Sequence, residues 1–360
     1  MAYRLDPAQP MSHEVRRVAR ERLDEAIAEL EELSNADADA IEAGIHAVRK
    51  RCKEVRGLLR LVRPALGSEY RRANALVRDA ADELSSIRDA HAVLATFDDL
   101  RVTGGHLDDA RLEKVRVAQD EMATAATRAV RRGDPRVRRA HELLSRARRR
   151  TRRWELPDGF DALGGGLRRT YERGCLAREA ARRDPTDENM HEWRKAVKNL
   201  WYQLRLVERA APSVLHPLVA GLDDLAEALG DDHDLAVLVD RIGTRRRDYG
   251  GKKAVKHTVR LARAQQDELR GRAFRLGATI YAETPAAFTG RIGAYWHNAV
   301  ELGPERSAGG IAELAAEDQR DAARDRIDTT VEIERKFLVA EVPTLPEPGE
   351  RIRQGYIAID

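Results

Sequence analysis

Two stretches of this chain space histidine, arginine and lysine in a way that suits an anion. His191, Arg194, Lys195, Lys198 and Arg205 stand at i, i+3, i+4, i+7 and i+14, and His46, Arg49, Lys50, Lys53 and Arg60 repeat the pattern without a gap. At about 100° per residue on an α-helix, these positions share one face. Each copy therefore offers four cations with a histidine at the N-terminal end. Like charges at such spacings destabilise an isolated helix by a few tenths of a kcal/mol per pair. A basic strip on one helix is ordinarily a solvated face, but an unfavourable pattern repeated in register implies an anion that relieves it. A metal at His46 or His191 would be repelled by the three cations within two turns, so a hydrogen bond from histidine to an anion suits the setting better.

The opposite face of each strip is apolar. Ile45, Val48, Cys52, Val55, Leu59 and Val62 in the first copy, and Met190, Trp193, Val197, Leu200, Leu204 and Val207 in the second, recur at the helical period. That is the pattern of an amphipathic helix packed in a bundle. The copies are offset by 145 positions (191 − 46), and the same offset places Leu84 on Leu229 and Asp89 on Asp234. Solenoid repeats run about 20–50 residues, so this longer period means a helical unit of domain size that occurs twice.

Punctuation marks the other elements. Residues 1–10 read as a loose leader. A helix opened by Ser12 should reach Leu33, and Asp37 or Asp39 should cap the first strip helix, which stops near Pro64 and Gly67. A further helix follows over residues 68–84. Asp134 and Pro135 precede a strongly basic helix over residues 136–154, whose arginines read as a solvated face. Leu156, Pro157, Asp158 and Gly159, followed by a hinge at Gly164, Gly165 and Gly166, mark the boundary between the halves. Thr186 and its neighbours should cap the second strip helix. Leu229, Gly230 and Asp231 should close the next helix and cap its successor. Asp89 and Asp234 read as structural carboxylates at helix ends, while His233 and His257 receive no role. The expected organisation is all-α: two helical bundles at residues 12–155 and 156–302, a linker at 303–328, and a β-prone tail at 329–360.

In that tail Val331, Ile333, Phe337 and Val339 alternate with charged residues, a strand signal. Glu332, Glu334 and Lys336 then share one face, where two carboxylates and an ammonium could hold a divalent cation and a phosphate chain.

Composition narrows the function classes. Charged residues make up 35% of the 360 residues and aromatics 5%, yet the net charge is only +3. The basic strips are thus a matter of segregation, and the local field counts for more than the total. The two cysteines show no metal-ligand spacing. With no signal peptide and no apolar run of about 18 residues, a cytoplasmic protein without a membrane partner is expected.

The two strips, the restart of the same order of helices, and the run Leu229, Gly230, Asp231, Asp232, His233, Asp234 resemble the CHAD domain family. The resemblance covers residues 12–302 and implies two helical bundles related by a pseudo-twofold axis, with inorganic polyphosphate bound in a basic channel where they meet. Carried over by position, His46, Arg49, Lys50, Lys53, Arg60, His191, Arg194, Lys195, Lys198 and Arg205 would line it. Arg16, Arg20, Arg169 and Arg173 are further candidates. The first copy departs from the pattern, with Ser85, Ser86 and Ile87 in place of the Gly-Asp-Asp turn. The tail resembles the opening of a CYTH domain, the triphosphate tunnel metalloenzyme family, on Glu332, Glu334 and Lys336. That family needs a barrel of about eight strands, far more than thirty residues.

The expected function is therefore non-catalytic binding of inorganic polyphosphate, with polyphosphate granules as a further partner and no cofactor. The alternatives are a polyphosphate or triphosphate hydrolase using Mg or Mn, should the CYTH part be completed, and nucleic-acid binding. The strips carry few exposed aromatics of the kind that single-strand binders stack on bases, which disfavours the last.

Overall fold

The computed structural model describes residues 3–33, 37–85, 130, 133–244 and 252–303, which belong to one compact unit. Helices account for the regular structure throughout, with no strand among the described residues. In chain order they are α1 (Met11–Glu32), α2 (Ala38–Leu61), the short α3 (Arg63–Leu66), α4 (Ser68–Glu83), α5 (Pro135–Arg150), α6 (Asp161–Arg183), α7 (Asp187–Val207), α8 (Pro212–Thr244), α9 (Lys252–Ile280) and α10 (Pro285–Leu302). Single turns of 3₁₀ helix, Thr151–Arg153 and Glu208–Ala210, follow α5 and α7.

The strip helices begin where a side chain can satisfy an orphan N–H. Asp37 accepts from Ala40 N–H at 2.8 Å to start α2, and Thr186 accepts from Asn189 N–H at 3.3 Å to start α7. Caps of this kind are worth about 1 kcal/mol each. The apolar faces then decide the packing. All six apolar positions read from the first strip, and all six from the second, are 1% exposed or less. At roughly 1.5–3 kcal/mol for each large side chain taken out of water, these two faces hold α2 and α7 in the centre of the molecule.

In the first half α1 packs on α2 and α5, and α4 packs on the same two helices, closing a four-helix ring. In the second, α6, α7, α8 and α9 pack in series, and α10 lies against α6. The halves meet where α2 contacts both α6 and α7. A single apolar core runs through both, from Tyr3 to Trp296. A small separate core of Leu235, Leu238, Val255 and Ala262 joins the far parts of α8 and α9.

Three expectations need correction. The N-terminus is no loose leader: Tyr3, Arg4 and Leu5 are buried. Leu5 N–H donates to Leu206 O at 2.8 Å, Tyr3 Oη donates to Glu54 O at 2.7 Å, and Arg4 pairs with Glu208 at 2.9 Å. The segment is a strap across the ends of α2 and α7. Second, Gly164, Gly165 and Gly166 form no hinge but lie inside α6. A Cβ on Gly166 would stand 1.8 Å from Leu61 O, so the absence of a side chain is what lets α6 cross the C-terminal end of α2. Third, α8 runs through Leu229, Gly230 and Asp231 without a break, because the packing of α8 on both α7 and α9 outweighs the low helix propensity of one glycine. Asp89, like Glu332, Glu334 and Lys336 in the tail, lies outside the described residues, as does the side chain of His257.

Candidate anion-binding site

The strip helices touch at Gly57 and Tyr202. A Cβ on Gly57 would meet Tyr202 Cβ at 2.7 Å. The sequence offset makes these two positions equivalent (202 − 57 = 145), as a twofold axis passing between α2 and α7 would require.

Along α2, His46 and Lys53 are exposed, while Arg49, Lys50 and Arg60 are half-buried. Arg49 Nη1 donates to Ala81 O at 2.6 Å, in the last turn of α4. Among the described residues Arg60 has neither a hydrogen bond nor a carboxylate partner. Burial, then Arg56, and more weakly Arg173 of α6, lower its pKa to about 10. Arg56 is itself lowered by burial, against the pull of the Asp82 carboxylate, and its Nε donates to the neutral Asn74 Oδ1 at 3.3 Å. Three guanidinium groups from two helices thus gather where the halves meet.

Along α7, Lys195 is exposed and pairs with Glu192, and the other four strip residues are half-buried. Arg194 makes no hydrogen bond or ion pair among the described residues, and its Nε is buried. Gly230 of α8 lies beside it, with its Cβ position 3.6 Å from Arg194 Nε, an ordinary packing distance. Lys198 Nζ lies 4.1 Å from the Trp201 ring centroid and 3.6 Å from Asp223 Oδ1, and burial lowers its pKa. Arg205 is enclosed: the Trp201 and Tyr3 ring centroids are 4.6 and 5.7 Å from its Cζ, and Glu54 Oε1 is 3.9 Å away. His191 packs on His233 with ring centroids 4.1 Å apart. Burial first, then His233, Lys195 and Arg194, push His191 down to about 4, so the ring is neutral at neutral pH.

The further candidates divide. Arg173 joins Arg60, and Arg169 is exposed without a partner among the described residues. Arg16 and Arg20 instead hydrogen bond, through Nε, to Trp154 O at 2.6 Å and Thr151 Oγ1 at 2.9 Å. Of the acidic run on α8, Asp234 is exposed and Asp232 is the buried member, held by Arg270 at 2.6 Å and by Gln266. Asp187 at the start of α7 also binds Arg270 and Arg263, which ties the base of the strip to α9. Sequence reasoning missed Arg56, Trp201, Asp223 and the role of His233. For His233 a signal exists: the repeat sets it opposite Arg88, a change of residue type within the family-like run.

Among the described residues no three His, Cys, Asp or Glu side chains come together to hold a metal ion, and no helix is long and apolar enough to cross a membrane. What the geometry can do is present half-buried, undercompensated cations on two touching helices. Such groups recognise an anion rich in oxygen acceptors.

Fold and site together define an all-α domain with a cationic face on each of two central helices. The model of the CHAD domain family matches residues 17–243, well over half of the sequence and spanning both strips, and the chain belongs to that family. The structure is similar to that of the CHAD domain from the plant Ricinus communis, with a TM-score of 0.58 at 18% identity, covering 78% of this chain and 95% of that one. It is also similar to PptA from Streptomyces chartreusis, with a TM-score of 0.50 at 14% identity, over 76% and 100% of the two chains. At these identities the likeness is one of fold. No curated protein matches the sequence. The CYTH resemblance of the tail finds no support in these comparisons.

Proposed function

We propose that this protein binds inorganic polyphosphate along the two strips, without turning it over. The observation that carries the reading is Arg60: a half-buried guanidinium with no carboxylate among the described residues, facing Arg56 and Arg173 from the neighbouring turn and helix. Folding has desolvated and crowded like charges there, an arrangement that costs free energy until an anion arrives. On α7, Arg194 has a buried Nε and likewise no carboxylate partner among the described residues, although its position in the repeat is that of Arg49. A flexible chain of phosphates can satisfy both, with arginine forks and lysine point charges on successive groups. Family membership supports the same ligand, since the resemblance to CHAD domains implies it. No Ser or Asp accompanies the histidine in both strips to act as a nucleophile, which favours binding over hydrolysis. Association with polyphosphate granules in the cytoplasm follows from the same reading.

The test is titration of the full chain with long-chain polyphosphate, with duplex DNA as competitor and phosphate release followed in the absence and presence of Mg or Mn. Submicromolar binding that DNA does not displace, without release, is expected. Release on adding metal would favour the hydrolase alternative, and displacement by DNA the nucleic-acid one. Lys53→Glu with Lys198→Glu should abolish binding at unchanged helix content by circular dichroism. Arg60→Gln with Arg194→Gln removes two guanidinium groups of the strips that have no carboxylate partner among the described residues. Full affinity in both double variants would remove the strips from the site.

A further inference from the structure

A second group of cations lies outside the strips. Arg146, Arg149, Arg152 and Arg153, on the last turns of α5 and the 3₁₀ turn after it, are all exposed, and none has a hydrogen bond or an ion pair among the described residues. Their immediate neighbours behave differently. Arg148 pairs with Asp24, and Arg150 with Glu69 at 2.7 Å. Some other exposed arginines are paired, such as Arg72 with Glu69 or Arg182 with Glu179, while Arg63, Arg168 and Arg169 have no ion pair among the described residues; what sets this group apart is four such arginines within eight residues. Cations at a helix C-terminus complement its dipole, but the paired Arg148 and Arg150 already occupy that position. The four other arginines form a row of roughly 10 Å at 1.5 Å per helical residue.

The row is linked to the site through α4. Glu69, which holds Arg150, precedes Tyr70, and the Tyr70 ring carries Arg63 at 4.9 Å from its centroid. The same tyrosine acts electrostatically on Arg56 and Arg60. Arg71, exposed on the next position and unpaired among the described residues, adds to the positive side of this junction. The described aromatic closest in sequence to the row, Trp154, is 1% exposed, so it offers the row no platform on which a nucleic-acid base could stack.

We propose that Arg146, Arg149, Arg152 and Arg153 form a second contact for the same polyanion, on which the part of a long polyphosphate chain that leaves the α2–α6 junction lies. This rests on the function proposed above. Short oligophosphates fill the strips alone, whereas long chains engage both regions and gain affinity through the high effective concentration of a tethered second segment.

The experiment compares a short oligophosphate with long-chain polyphosphate on the wild-type chain and on the variant Arg146→Gln, Arg149→Gln, Arg152→Gln, Arg153→Gln, each across a range of salt. The expected result is that the variant binds the short ligand within about twofold of wild type and loses at least tenfold for the long one. The slope of log K against log salt should fall by about 2–3 for the long ligand only, at roughly 0.7 for each phosphate charge that the variant no longer neutralises. Unchanged long-chain affinity and slope would overturn the proposal and leave a solvated face. Equal weakening for both lengths would also overturn it, by making the row part of the primary site. Failure of the wild type to bind either length would sink the strip reading itself, and the extension with it.

Discussion

Arg60 and Arg205 occupy equivalent positions in the repeat and meet opposite fates. Arg205 is caged by Trp201, Tyr3 and Glu54, the last a buried carboxylate that also receives Arg51 at 3.2 Å. Arg60 has other cations and tyrosines around it. One strip therefore ends in a brace between the halves and the other in an open charge, so an anion meets the two ends on unequal terms. His191 shows how far the site tunes a single group. Its pKa of about 4 in the folded chain lies below the ordinary 6.5, with burial the main cause and His233, Lys195 and Arg194 adding to it. Between these two values the unfolded chain binds more protons than the folded one. Stability from this source is complete above pH 6.5 and is lost as pH falls towards 4. His233, lowered by burial and Arg194, adds in the same direction, while Asp187 opposes it. Urea midpoints at about pH 7 and about pH 5 should differ more for wild type than for His191→Gln. Equal differences would mean that the histidine titrates normally. A bound polyanion should reverse the tendency by raising the pKa of the pair, so binding takes up protons below neutrality.

At the scale of elements, the crossing of α6 over α2 depends on one missing side chain. Gly166→Ala would drive a Cβ against the Leu61 carbonyl, and backbone cannot step aside as a side-chain tip can. A loss of about 3 kcal/mol or more is expected. Gly221→Ala in α8 is the control: nothing lies within 4 Å of its Cβ position, so helix propensity alone should stabilise by roughly 0.5–1 kcal/mol. Denaturant midpoints of the two variants moving the same way would refute the contact. These glycines also show where sequence reading stops. The apolar faces of α2 and α7 were legible because their period is written in the residues themselves, as were the caps Asp37 and Thr186. Three glycines in a row read as a break, since what requires a glycine at Gly166 is a carbonyl about a hundred positions away. The strips were legible by spacing, but not which cations are already neutralised. Arg205, Lys198 and Arg270 meet Glu54, Asp223 and Asp232 only once α2, α7, α8 and α9 are packed.

Over the whole molecule, nearly balanced totals of 64 basic and 61 acidic residues are sorted by position. Many of the acids are used in ion pairs on the described surface, which leaves positive charge concentrated at the meeting of the halves and at the end of α5. What keeps the halves in register includes the N-terminal strap. Leu5 is fully buried and its N–H is bonded to Leu206 O. Leu5→Ala should cost about 2–4 kcal/mol in urea unfolding and should broaden or split the transition if the halves begin to come apart separately. A loss below about 0.5 kcal/mol would mean the strap holds nothing. The strap also orders events in time. Its partners Leu206 and Glu208 are made some two hundred residues after it, a delay of roughly 10–40 s at usual synthesis rates. The strap residues, made early, are therefore among the last to find their place, and a fusion partner attached in front of Tyr3 would burden the step that closes the molecule.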